Sequence, residues 1–382
     1  MRRARRRGAL AGVGLALLLP LAQLPSSAAP SAVVGGLSSG PIEFVKNVPH
    51  DAGAAQVARR VGKYLYLTSW KALSIYDVSD LLNPVHITTI PTGFQFPAER
   101  MDTNGKVLII GEEAPLARLH VFDVSDPEAP TEIATLDGTP DHTFICVLGC
   151  KWAYGSHGTI VDLRDPANPR VAGDWDNNSL TYWHDVTEVS PGRVLSASMP
   201  TMEFLDGRRN VKAPRHIARG DAAATGTAGY LGTVLWPRKG RDRFILGSEE
   251  SGFSGRCSEN SSAFVTWSTS SWQKRKTFKI ADTFRLSNGT MNDGSPPVSV
   301  IGCSTHVFDS HPRFHDGGLM SLAHYEHGTR LLKIGKKGSI SEVAWFLPAA
   351  GSTSASYWMN DEIIYSVDFH RGLDILRYTG KK

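Results

Sequence analysis

No segment of ten or more residues carries a convincing 3.6-residue apolar period, so the chain reads as all-β rather than helical. No Cys-x-x-Cys pair occurs, which removes that form of zinc or redox motif. The stretches SASMP (196–200) and GTAGY (226–230) lack the glycine and serine arrangement of a nucleophile elbow, so a hydrolase of that type has no support. Cysteine itself is scarce at four in 382 residues. In an exported chain four cysteines predict two disulfides. The expected pairs are Cys146 with Cys150, across a tight turn at Leu148 and Gly149, and Cys257 with Cys303. A cross-link closing the longer loop would contribute about 3 to 4 kcal/mol through the unfolded state.

Long apolar runs are also missing, apart from one that starts at about Ala9 and ends at Leu24. It is interrupted by Pro20, falls short of the roughly 20 residues a spanning helix needs, and follows five arginines. This pattern predicts a secretory signal peptide over residues 1–28, cut after Ala28, then a Gly/Ser-rich linker over 29–40. The arginines leave export by the Sec or the twin-arginine route open. An extracytoplasmic protein with no membrane span after cleavage, and a monomer, is expected. Losing five arginines and no acid leaves 36 basic against 37 acidic residues, a net charge of −1. Nothing then favours nucleic-acid binding through a basic surface.

What the sequence has in abundance is repetition. KALSIYDVSDLLNPVHITTI (71–90), RLHVFDVSDPEAPTEIATL (118–136) and GTIVDLRDPANPRVAGDW (158–175) are copies of one phrase. In each, an alternating apolar strand ends in an aspartate with a proline seven residues later: Asp77 and Pro84, Asp123 and Pro130, Asp162 and Pro169. The aspartates cap turns through side chain to backbone bonds, and the prolines break the strand. Units spaced at roughly forty residues predict a propeller or a solenoid. Each unit reads as four short strands. The last, however, supplies only three, SASYWM, EIIYSVDF and LDILRYTG, while Ile42 to Val48 is an unpartnered strand near the N-terminus. Pairing the spare strand with the deficient unit gives a seven-bladed β-propeller of four-stranded antiparallel blades over residues 41–382, closed by its own N-terminus.

The phrases LSIYDVSDLLNP, LHVFDVSDPEAP and TIVDLRDPANP resemble the LVIVD repeat family of bacterial propeller proteins. The resemblance implies the fold and says little of function, because the repeat defines the family. The fourth to seventh units depart from the pattern. No blade ends in the Trp-Asp pair of WD40 repeats.

In a four-stranded blade the innermost strand starts, and the second strand ends, at the same mouth of the central channel. First-strand starts carry Glu99, His142, His184 and His306. Second-strand ends carry Glu112, Glu113, His157, Glu249, Glu250, His324, Glu326, His327, Asp368 and His370. Imidazoles and carboxylates in that combination suit zinc, copper, iron or manganese. His142, His184 and His306 are the expected metal ligands, since first strands line the channel. Glu250 is the expected catalytic carboxylate, as a fourth ligand or a general base. Glu99, His157, Glu249, His327 and Asp368 make the expected ligand-binding rim. A secreted binding module for an extracytoplasmic protein or small ligand is the leading functional expectation. A metal-dependent hydrolase or oxidase is the alternative, and the plain reading of polar hairpin tips as merely wet stands beside both.

Overall fold

The computed structural model describes residues 35–94, 97–113, 115–175, 183–198, 202–221, 230–250, 262–286 and 302–381. Cys257 and the expected signal segment therefore lie outside the described residues. Among those described, no helix is long and apolar enough to cross a membrane.

The chain folds into an all-β, propeller-like array of antiparallel hairpins. The first sheet runs Ala55–Val61, Tyr64–Ser69, Ala72–Asp77 and Val85–Pro91, each strand pairing with the next. Its third strand is buried on both faces up to Asp77, and its last is half-buried to exposed, so the sheet has an inner and an outer edge. Two further four-stranded sheets follow, over Pro97–Asp137 and Phe144–Asp174. Most innermost strands neighbour the next in sequence order, and Thr353–Trp358 near the C-terminus packs against Ala55–Val61, which brings the two ends of the array together.

Ile42–Val48 pairs antiparallel with Gly372–Tyr378 and completes the last sheet, as the strand count requires. Gly36–Ser39, read from its composition as linker, is a strand too. It adds to the outer edge of Ile340–Pro348 and makes that sheet five-stranded. Ladder bonds along a free edge explain the difference, since a polar segment can satisfy its backbone there as well as in water.

Among the described residues the separate sheets number six rather than the expected seven. The fourth and fifth units share an eight-stranded sheet, because their outermost strands run parallel and pair Arg219 with Thr277 and Gly220 with Phe278. Within it, each unit keeps its own antiparallel order of four.

The repeat phrase does what its chemistry dictates. The Asp77, Asp123, Asp162 and Asp206 carboxylates each accept a hydrogen bond from the backbone N–H two residues on, at 2.8, 2.8, 3.2 and 3.2 Å. The turn is thus made by the side chain of the residue that ends the strand. The core lies between faces of neighbouring sheets. Phe244, Leu246 and Phe264 pack on Phe308, Met320 and Leu322, and Ile145, Trp152 and Tyr154 pack on Val186, Val194 and Leu205.

Cys146 and Cys150 form a disulfide with Cα atoms 4.3 Å apart. Leu148, Gly149 and Cys150 all have positive φ, and that run of left-handed residues folds the four-residue loop tightly. Cys303 is also disulfide-bonded.

Candidate metal centre

The innermost strands do not begin as regular ladder. Register shifts fall between Pro97 and Met101, Trp183 and Asp185, Leu231 and Thr233, and Thr353 and Ala355. Each is a bulge, which re-aims side chains and frees backbone groups from the ladder. Glu99 and His184 lie inside two of them. The carbonyls of Gly232 and Ser354 lie inside the other two, and they accept from His184 Nδ1 at 2.9 Å and His306 Nδ1 at 2.6 Å.

His142 follows the same plan with a different acceptor, since its Nδ1 lies 2.6 Å from Glu113 Oε1. With Nδ1 occupied outward on all three rings, Nε2 is the nitrogen turned inward. All three converge on one oxygen, Glu99 Oε2, with His306 at 2.7 Å, His142 at 3.6 Å and His184 at 3.8 Å. Glu250 adds a second carboxylate, with Oε2 at 3.0 Å from His184 Nε2. Its other oxygen accepts from the Tyr325 hydroxyl at 2.8 Å, and the Tyr325 ring stacks on His306. Tyr325 holds this place with φ of 35°, a costly backbone conformation for an aromatic residue.

These groups can hold a transition metal. Glu99, His142 and His184, and again Glu99, Glu250 and His306, bring ligand atoms within 4.8 Å of one another. The histidines are buried, and the partners of His142 and of Glu250 Oε2 here are other charged side chains: Glu113 and Glu99 for His142, and His184 for Glu250. An outward Nδ1 anchored on a carbonyl or carboxylate is also the arrangement that orients histidine ligands.

Charge points the same way. Burial pushes the Glu99 carboxyl up, but His306 and His142 outweigh it and hold it well below the usual carboxylate range. Burial lowers the imidazoles, yet Glu113 and Glu99 carry His142 to about 10, and Glu99 and Glu250 carry His306 to about 9. For Glu250, burial and Glu99 push upward, while His306 and His184 bring it below its ordinary value. Two carboxylates here demand compensating positive charge, which protons or a metal ion can provide.

The other expected residues separate from this group. His157 Nδ1 accepts from the His142 backbone N–H at 3.2 Å and so supports the loop rather than facing the centre. Glu249 points the opposite way from Glu250 and accepts from the Ala263 N–H at 3.2 Å. Asp368 accepts from the N–H groups of His370 and Arg371, and burial raises its carboxyl to about 7. His327 belongs to another group, with His324 and Cys303. Of the expected rim, Glu99 alone lies in the cluster, at its middle rather than its edge. Tyr325 was not foreseen, and its only sequence signal is its position between His324 and Glu326.

Beside the cluster lies a cavity of about 170 Å³ lined in part by Glu99, His184, His306, Arg100, Asp185 and Asp309. Arg100 forms a buried-side ion pair with Asp185 in its wall.

Residues 52–92 match the LVIVD repeat family. No curated protein matches the chain. Among solved structures, the chain is similar to the β-propeller domain of Myceliophteria thermophila Cps50 (Swd1), with a TM-score of 0.59 and 11% identity over 87% of this chain and 99% of that one. The RRP9 WD40 repeats give 0.58 and 9% over 91% and 100%. BamB from Moraxella catarrhalis gives 0.55 and 11% over 89% and 99%. At such identities the likeness concerns the fold.

Proposed function

We propose that this chain is an exported, metal-dependent enzyme built on a seven-bladed propeller. Counting the eight-stranded sheet as two blades gives the seven. The observation that carries the reading is the convergence of three outward-anchored histidines on Glu99 Oε2.

In this reading His142, His184 and His306 hold the ion through Nε2, and Glu99 is the anionic ligand. When bound, the ion supplies a Lewis acid to a hydrolase or a redox couple to an oxidase. Glu250 takes up a proton at Oε2, while Tyr325 fixes the carboxylate through its other oxygen. Burial around the cluster excludes bulk water and strengthens each of these interactions. The cavity of about 170 Å³ is below the roughly 300 Å³ where drug-sized pockets begin, which favours a small substrate. The binding-module reading draws less support, because four of its five rim residues turn to the backbone or elsewhere.

Metal analysis of the purified and reconstituted chain tests the proposal. About one ion per chain, lost in His184→Ala, is expected. Substoichiometric metal in both samples would end it.

A further inference from the structure

A second group of ligand-type side chains stands apart from the carboxylate-rich centre. Cys303, His324 and His327 bring their sulfur and ring nitrogens within 4.8 Å of one another. Both histidines are fully buried, and among the described residues their ring nitrogens make no in-line hydrogen bond, the His327 ring lying against the backbone of Gly302. The backbone explains how they are held there. His324 N–H donates to Gly328 O, His327 N–H to His324 O and Gly328 N–H to Tyr325 O, a tight turn that Gly328 enters with φ of 70°. Arg330 adds a bond from Nε to the His327 carbonyl.

Two buried imidazoles gathered beside a sulfur make a ligand set that needs only a thiolate to be complete. Cys303, however, is disulfide-bonded, so its sulfur carries no such charge. We propose that Cys303, His324 and His327 form a redox-gated Cu(I) site, closed while the Cys303 disulfide is intact and opened by its reduction. A dithiol reductant gives two electrons and two protons to the disulfide and becomes a disulfide itself. Cys303 is left as a thiol, and its proton departs as the ion binds.

The choice of ion follows from charge and number. Soft thiolate with imidazole selects Cu(I) or zinc. Zinc in a closed site takes four ligands, whereas among the described residues this group offers three. One thiolate and Cu(I) leave no net charge, whereas a divalent ion would leave one uncompensated, since the neighbouring Arg330 guanidinium, bonded to the His327 carbonyl, is already paired with Glu342. The first centre, with Glu99 and Glu250, favours harder divalent ions by the same reasoning.

The test is an anaerobic Cu(I) titration of the full chain against a chromogenic chelator. It compares protein as purified with protein treated by dithiothreitol and freed of it. The reduced chain is expected to take up one more equivalent than the oxidised chain. That increment disappears in Cys303→Ser and in His324→Asn, and copper-edge absorption shows sulfur beside imidazole nitrogen. Equal uptake by both forms overturns the proposal, as does an increment that survives in Cys303→Ser, since other thiols then account for it. Should His324→Asn fail to fold by circular dichroism, Cys303→Ser decides alone, because it keeps nearly the same volume.

Discussion

The Nδ1 of His306 donates to the carbonyl of Ser354, a residue that a bulge has released from its own ladder, at 2.6 Å. One blade thereby fixes the ring that its neighbour aims at Glu99. The same relationship joins His184 to Gly232, so the cluster is held by the backbone of the next sheet and not only by its own.

His142 departs from that scheme by leaning on a carboxylate, and this makes it separable. Glu113→Gln keeps the size of the side chain and removes its charge. Metal affinity is expected to fall by about 10 to 100-fold, the usual cost of losing an outer partner of a histidine ligand. Competition with a metal chelator measures it, and affinity equal to wild type would show that Glu113 plays no part.

Tyr325→Phe removes the hydroxyl that bonds Glu250 while keeping the ring on His306. The hydrogen bond to a charged acceptor contributes about 1.5 to 3 kcal/mol, so a lower midpoint in urea is expected. If Glu250 acts on a proton, the acid limb of the activity profile also shifts in the variant. A profile that superimposes on wild type would assign Tyr325 a packing role alone.

The repeat aspartates give a pH prediction. For Asp206, the Arg208 side-chain bond outweighs burial and lowers the carboxyl to about 2. For Asp77, bonds from Ser79 and then Lys63 do the same. Both folded values lie below the unfolded value of about 3.9. Their stabilisation is therefore present above about pH 4 and is lost as pH falls through about 2. Asp206→Asn should lower the melting temperature at pH 6 and flatten its decline between pH 4 and 2. A decline as steep as in wild type would count against the turn bond.

Deleting Ile42–Val48 exposes the edge of Gly372–Tyr378 and removes the packing of Ile42 against Leu376 and Tyr378. Hydrogen exchange should quicken first in Gly372–Tyr378, then in Ile363–Asp368. Unchanged protection there would mean that the last sheet stands without its N-terminal strand.

The repeat, the turn aspartates and the strand missing from the last unit were legible because each rests on local chemistry: alternation, an Asx turn, a count of strands. His142, His184, His306 and Glu250 were found together because strand starts and ends are set by those turns. Glu99 was expected at the rim; bulges leave no mark in alternation, and it is the bulge between Pro97 and Met101 that carries it toward the histidines. Glu249 goes the opposite way. It neighbours Glu250 in a regular strand, so period-two geometry sends it away from the centre. The parallel contact of Arg219 and Gly220 with Thr277 and Phe278 involves two backbone edges, and side-chain types do not encode it.

The bond between Glu99 and His306 spans 207 residues of sequence, and the sheet beyond His306 closes only when Ile42–Val48 meets Gly372–Tyr378. Timing follows from this. A chain emerging in order has His142 and His184 in place long before His306 arrives, and Ser354, which orients that ring, arrives later still. An ion captured early would meet an incomplete ligand set and exchange freely, so retention of metal at the proposed centre would report that folding is complete.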